Sequence, residues 1–339
     1  MRCGGLVCGV GWKEQVLRLL VVLVLLALTA CCSVAFGGFV LTVDNDVFMS
    51  DHTDRNYTHG MEAMWTLMSD GKMGWDVVRE SYGLRSRMYS PDDITDPNLP
   101  PPSSRPWAGL TTAYGEWWMS SALTKDLFGR TEAVKFGVEA GVLGPSAGCE
   151  WMQTEFHKLI GSAKPMGWAW QMPDEPALNF YEDRWMRMGS AGKKEGLMGV
   201  ADLVYGGVLG TTFGEAKSGV SGRIGWNMPR TPVDNVIAPK LDRVSKDGSG
   251  FFCGLTGNVS GWWQAWNSTL SDSFFRGGPE REVKERSLEP WVCEYQWGLT
   301  AGYGSFSLAY AKVTRSDEFK GQEGNHSWGT VSVQFGRAF

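Results

Sequence analysis

The chain is short of positive charge. It has 32 Lys and Arg against 37 Asp and Glu, a net charge of -5 and a pI near 5.5. That balance argues against a nucleic-acid binder, which needs a basic surface. Beyond residue 32 no run is apolar enough for a membrane helix. Cysteine is scarce: of seven, Cys3, Cys8, Cys31 and Cys32 lie in the first 32 residues, leaving Cys149, Cys253 and Cys293. An odd set gives no disulfide framework, and no pair has metal-ligand spacing. All three read as small packing residues, with a Cys253–Cys293 bond as the alternative. There is no Gly-x-Ser-x-Gly elbow, no nucleotide loop and no Cys/His zinc pattern.

Tryptophan is abundant, with 17 in 339 residues. Trp suits boundaries between apolar and wet surroundings, such as a membrane belt. The length allows two domains or one large barrel. Lys13 and Arg18 precede an apolar run from Leu19 to Cys32. The run is too short to span a bilayer and has the size of a signal-peptide core. Ser33-Val34-Ala35 offers a cleavage site, so residues 1–35 are expected to be a signal peptide and 36–339 the barrel. Leu28-Thr29-Ala30-Cys31 offers a competing lipoprotein reading.

After residue 36 the pattern is alternating apolar and polar stretches broken by Gly, Asp, Asn and Pro. This predicts an all-β fold: a twelve-stranded antiparallel transmembrane β-barrel with a short helix in an extracellular loop. The expected strands are Gly37–Phe48, Tyr57–Met68, Trp75–Tyr89, Trp107–Leu123, Thr131–Val142, Ala177–Met188, Leu197–Val208, Glu215–Trp226, Gly250–Trp266, Glu289–Gly302, Ser305–Val313 and Trp328–Phe339. Val331, Val333, Phe335 and Phe339 share one face of the last strand, an ending common in outer-membrane barrels. With the N-terminus periplasmic, odd-numbered connections lie outside the cell. Those are mostly long and the first three inner ones short, the expected asymmetry. Asn227–Ser249 is a long inner excursion without a physical account.

That topology gathers three motif-rich segments at one rim. Asn45 and Asp46 end the first strand and Thr58 begins the second. Their oxygens suit a hard cation such as Ca²⁺, with Asp51 and Asp54 in the same loop. The plainer reading is a strand stop built from turn-forming residues. Residues 144–161 read as a helix between glycines. Gln153 and His157, four apart, share a face. Met152, Phe156, Leu159 and Ile160 form an apolar stripe expected to lie against a wall on the other side. His157 is a candidate base and Gln153 a group to orient water; a solvated helix face is the alternative. Arg55, Arg105, Lys158 and Lys164 are outer cations for phosphate, or plain surface charge. Trp107, Trp117, Trp118, Trp168 and Trp170 read as an aromatic belt.

These motifs carry a family resemblance. The segments are Asn45-Asp46, Thr53-Asp54-Arg55-Asn56-Tyr57-Thr58-His59-Gly60, Arg105-Pro106-Trp107-Ala108-Gly109, Gly144-Pro145-Ser146 with Gln153-x-x-x-His157-Lys158-Leu159-Ile160-Gly161, and Gly167-Trp168 with Gln171 and Asp174-Glu175-Pro176. In order and spacing the chain resembles the bacterial outer-membrane lipid A 3′-O-deacylase family over most of its length. The resemblance implies a Ca²⁺-assisted carboxylic ester hydrolase of the outer membrane that removes the 3′-O-linked acyloxyacyl chain of lipid A. It implies His157 and Gln153 as catalytic, Asn45, Asp46 and Thr58 around Ca²⁺, and Arg105 and Lys158 toward substrate. The expected partner is lipid A or lipopolysaccharide in the outer leaflet, with the chain a monomer. An outer-membrane phospholipase and a non-catalytic envelope barrel are the alternatives. Ala163 and Pro165 stand where some members carry Glu and Tyr, and a lysine of the second outer loop is absent. Both departures bear on substrate anchoring more than on chemistry.

Overall fold

The computed structural model describes residues 38–49, 55–70, 77–125, 131–193, 196–228, 250–271, 275, 279–304 and 306–336. Twelve strands close on themselves: β1 Gly38–Asn45, β2 Asn56–Asp70, β3 Val77–Ser90, β4 Ala108–Lys125, β5 Thr131–Leu143, β6 Glu175–Gly192, β7 Leu197–Gly210, β8 Phe213–Trp226, β9 Phe251–Asn267, β10 Trp291–Tyr303, β11 Phe306–Arg315 and β12 His326–Gly336. Each strand pairs antiparallel with its sequence neighbours, and β1 pairs with β12. The expected strand count and order are therefore borne out, with ends shifted by a few residues. The signal-peptide segment, the loop carrying Asp51 and Asp54, most of Asn227–Ser249 and Phe339 lie outside the described residues.

Closure leaves no edge strand, so every strand satisfies its backbone in lipid. β10 shows the resulting alternation. Trp291, Tyr295, Trp297, Leu299 and Tyr303 are exposed, while Val292, Glu294, Gln296 and Thr300 are buried inside. Around the barrel Leu84, Phe180, Ile224, Leu255 and Val259 continue the outward apolar belt. The lumen is polar and holds a cavity of roughly 250 Å³ lined by Arg87, Glu139, Asp183, Glu294 and Arg315 among others.

The tryptophans correct one expectation. Trp107, Trp118 and Trp168 are buried rather than in a belt. Trp118 packs at a tilt against Trp185, ring centres 4.6 Å apart, beneath Arg79. The belt is built instead by Trp226, Trp263, Trp291 and Trp297.

Two helices are described. The expected one is α1, Cys149–Ile160; a six-residue α2, Pro279–Lys284, was not expected. The outer connections knit into a cap. Arg105 pairs with Glu318 at 2.5 Å and donates to Thr269. Arg286 donates to the carbonyls of Pro100, Pro101 and Ser104, and Lys284 to that of Gln171.

Candidate active site

Strand alternation decides which side of the wall each group faces. Asn45 is paired with His59, two rungs along from Val43 and Met61 and on their side of the wall. His59 is opposite Met88, Ser86 lies two residues further on, and Ser86 pairs with Thr111. This is the parity of exposed Tyr82 and Leu84, the outside of the barrel. Asp44 and Tyr57 face the lumen, where Tyr57 and Thr330 donate to the Asp44 carboxylate at 2.7 Å.

A β-bulge makes this possible. The β2–β3 register slips between Tyr57 and His59, leaving Thr58 as the extra residue. Plain alternation would put Tyr57 and His59 on one face; the extra residue sends them to opposite faces. Thr58 is fully buried and its hydroxyl meets that of Ser90.

Polar groups on an outer wall need cover, and α1 supplies it. Cys149 lies against Ser86 at 3.5 Å and within 4.0 Å of Thr111. A Cβ on Gly109 would come within 2.6 Å of the Cys149 Cβ, so only glycine lets the helix seat there. Gly148 and Gly161 bound the helix in left-handed conformations, φ 72° and 74°. Met88, Ile94, Trp107, Ala147, Cys149 and Trp168 form a small apolar core on the outside of the wall.

The helix is rotated from the expectation, and only part of its apolar stripe meets the wall. Cys149, Gln153, His157 and Ile160 point to the wall, whereas Leu159 is exposed and Phe156 half-buried. The reason is the wall itself: it is polar at Ser86 and Thr111 and apolar at Val43 and Met61, so Cys149, Gln153 and His157 turn inward while Met152 and Phe156 pack at the sides. Phe156 packs beside Val43, Val47 and Met61 and stacks near His59, ring centres 5.4 Å apart.

Four planar side chains are fixed in orientation or tautomer. Asn45 Oδ1 accepts from the Val47 N–H at 2.8 Å, so Nδ2 is its other end. Nδ2 lies 3.1 Å from His59 Nδ1, which must then accept, placing the His59 proton on Nε2. His157 Nδ1 is 2.5 Å from the Ala163 carbonyl, which can only accept. The proton therefore sits on Nδ1 and the lone pair on Nε2. Gln153 Oε1 accepts from Trp168 Nε1 at 2.8 Å, turning its buried Nε2 toward the seam. Among the described residues that nitrogen has no hydrogen-bond partner. His59 lies within electrostatic reach of His157, which ties the β1–β2 end to the helix.

The structure thus brings Asn45, Gln153 and His157 to one seam between α1 and the β1–β2 wall, with Asp46 at the end of β1 and Thr58 at the bulge beside it. Asp46 and Asn45 are buried. Among the described residues no three His, Cys, Asp or Glu side chains converge on a metal site. The donors expected for Ca²⁺ are an amide, one carboxylate and a hydroxyl, all hard oxygens, and that chemistry fits the ion. Lys158 is exposed and pairs with Glu155 at 2.6 Å.

Arg105 corrects the expectation of an outward cation. It is fully buried, paired with Glu318 and stacked over Tyr89 at 4.2 Å. Its charge is consumed in the cap. Sequence reasoning did not single out His59, Trp168 or the Ala163 carbonyl as site groups. For His59 the signal was the strand-end pairing with Asn45, hidden by the bulge. A backbone carbonyl leaves no signal in residue type.

A closed barrel with an outward apolar belt, and with its candidate site on the outer wall beneath a helix, defines an integral membrane protein of the outer-membrane barrel class. A family profile described as Outer membrane protein LpxR matches residues 17–337, and the chain belongs to that family of the outer membrane. LpxR from Salmonella typhimurium has a similar solved structure. The TM-score is 0.70 at 17% identity, covering 88% of this chain and 99% of that one, a likeness of fold. No curated protein matches.

Proposed function

We propose that the chain is an outer-membrane hydrolase that removes the 3′-O-linked acyloxyacyl chain of lipid A. The observation that carries this reading is the fixed pair on α1. His157 carries its lone pair on Nε2 by tautomer, and Gln153 has a buried amide N–H one helical turn away. A water in the seam donates to His157 Nε2 and accepts from Gln153 Nε2, which leaves one lone pair for attack. As the water oxygen bonds to the ester carbon, its proton passes to His157. The tetrahedral adduct then expels the sugar 3′-oxygen, which takes that proton back, and the fatty acid leaves. Ca²⁺ held by Asn45, Asp46 and Thr58 would polarise the ester carbonyl and stabilise the negative charge on its oxygen. His59 holds the Asn45 amide from behind, so its oxygen side stays toward Val47 and the loop end. With one carboxylate in the set, the affinity belongs in the weak extracellular range, a Kd of about 10⁻⁴–10⁻³ M.

The test is His157→Ala, with acyloxyacyl release from lipid A followed by mass spectrometry, with and without chelator. The expected loss is about 10²–10⁴-fold for the missing base, and chelator abolishes activity of the parent. Unchanged release in either arm defeats the reading. Burial of Arg105 removes one cation that would select a glycolipid phosphate. The same ester chemistry on a glycerophospholipid, which also carries a phosphate, is the second reading. Glycerophospholipid offered beside lipid A separates the two.

A further inference from the structure

The outer layer carries large apolar side chains that the chemistry does not use. On α1, Trp151 is 69% exposed and Leu159 45% exposed. They are eight residues apart and so share a flank. Met166 and Trp170, just after the helix, are 53% and 38% exposed. Exposed apolar side chains of this size on one outer loop point to a partner surface.

The geometry says which partner. The opposite flank of α1 rests on Ser86 and Gly109, whose side of the wall is that of Tyr82 and Leu84 lower on the same strand. Tyr82 and Leu84 belong to the lipid-facing belt. The helix therefore stacks on the lipid side of the barrel, and its free flank points where the belt points. Glu150, Glu155 and Lys158 are exposed beside Trp151 and Leu159. A flank mixing Trp and Leu with charges is that of a helix lying in a bilayer interface.

We propose that the outer flank of α1, with Met166 and Trp170, is a lipid-docking ledge seated in the outer leaflet against acyl chains. The ledge holds the mouth of the α1–wall seam at the depth of the bilayer surface, so an acyl chain enters sideways from the membrane. It rests on the deacylase reading only for what enters; the seat in lipid stands apart from it.

The test uses the full chain with every cysteine except the buried Cys149 replaced by Ser, folded into vesicles of phosphatidylethanolamine and phosphatidylglycerol. A nitroxide is attached at Trp151→Cys or, separately, at Leu159→Cys. Collision with oxygen and with a water-soluble nickel chelate is then measured. Leu255→Cys on the belt and Glu323→Cys on the last outer loop are the references. Positions 151 and 159 are expected to follow 255, favouring oxygen, with nickel access several-fold below that at 323. Nickel access like 323 overturns the ledge, and so does shielding from both probes, as a second copy would give. If one variant fails to fold, judged by heat-modifiable gel mobility, the other decides. Loss of deacylase activity does not move this measurement.

Discussion

At the residue scale, the candidate chemistry depends on orientation more than identity. His157, Gln153 and Asn45 each have one end tied to a group whose hydrogen-bonding sense is fixed: the Ala163 carbonyl, the Trp168 N–H and the Val47 N–H. A side chain tied in this way loses little entropy when substrate arrives. Trp168→Phe is the sharpest probe. It keeps an aromatic ring beside Trp107, now 4.8 Å away, removes the N–H that fixes Gln153, and shrinks a buried side chain. Losing one hydrogen bond to a positioned group costs about 1–1.5 kcal/mol. We expect kcat to fall about tenfold with heat-modifiable gel mobility retained and only a modest drop in melting temperature from the smaller ring. Full activity in Trp168→Phe would remove Gln153 from the mechanism.

At the element scale, α1 is held by close approach to the wall. A Cβ at position 109 has nowhere to go, because it would meet the Cys149 side chain at 2.6–2.8 Å. Gly109→Ala should lift the N-terminal turn of the helix, at about 1–3 kcal/mol as in other overpacked sites. The expected outcome is a folded, heat-modifiable barrel with strongly reduced ester cleavage. Cys149 gives a second readout: burial pushes its thiol up from the ordinary value, so alkylation in the folded parent should be slow and should quicken in Gly109→Ala. The helix was legible in the sequence as a glycine-bounded, amphipathic stretch. Its inward face was legible only in part: Ile160 is buried and Phe156 packs on Val43 and Met61, but Leu159 is exposed and Gln153 and His157 turn inward. Here Ser86, Thr111, Asn45 and His59 make the wall polar where the helix lands.

At the scale of the whole molecule, the outer cap joins loops far apart in sequence. Arg105, residue 318 and Thr269 meet there, with Arg105 wholly buried. Burial alone would push the Glu318 carboxyl up, but the guanidiniums of Arg105 and Arg315 outweigh it and hold the pKa below the ordinary 4.5. A depressed carboxylate stabilises the fold fully above its unfolded value. That contribution is lost as pH falls through the folded value. The parent's melting temperature should therefore be flat in this term above about pH 5 and fall below about pH 4.5. Glu318→Gln should lose that acid-side slope. Glu318→Ala, which strands a buried guanidinium, should cost about 3–5 kcal/mol. A parent whose acid slope survives Glu318→Gln would place the coupling elsewhere. The twelve strands themselves were readable, because alternation and turn residues are local signals. The cap was not: Arg105 looked like an outer cation because nothing near it in sequence reveals its partner 213 residues on.

The sequence by itself determined the period-two alternation, the number and order of strands, and the set of polar residues delivered to the outer rim. Those follow from backbone geometry and from each residue's own chemistry. Only the tertiary structure decided which side of the wall each group faces. One extra residue at Thr58 reverses the parity of β2's end. Closure of the barrel then makes every choice inside or outside, lumen or lipid, with no third option.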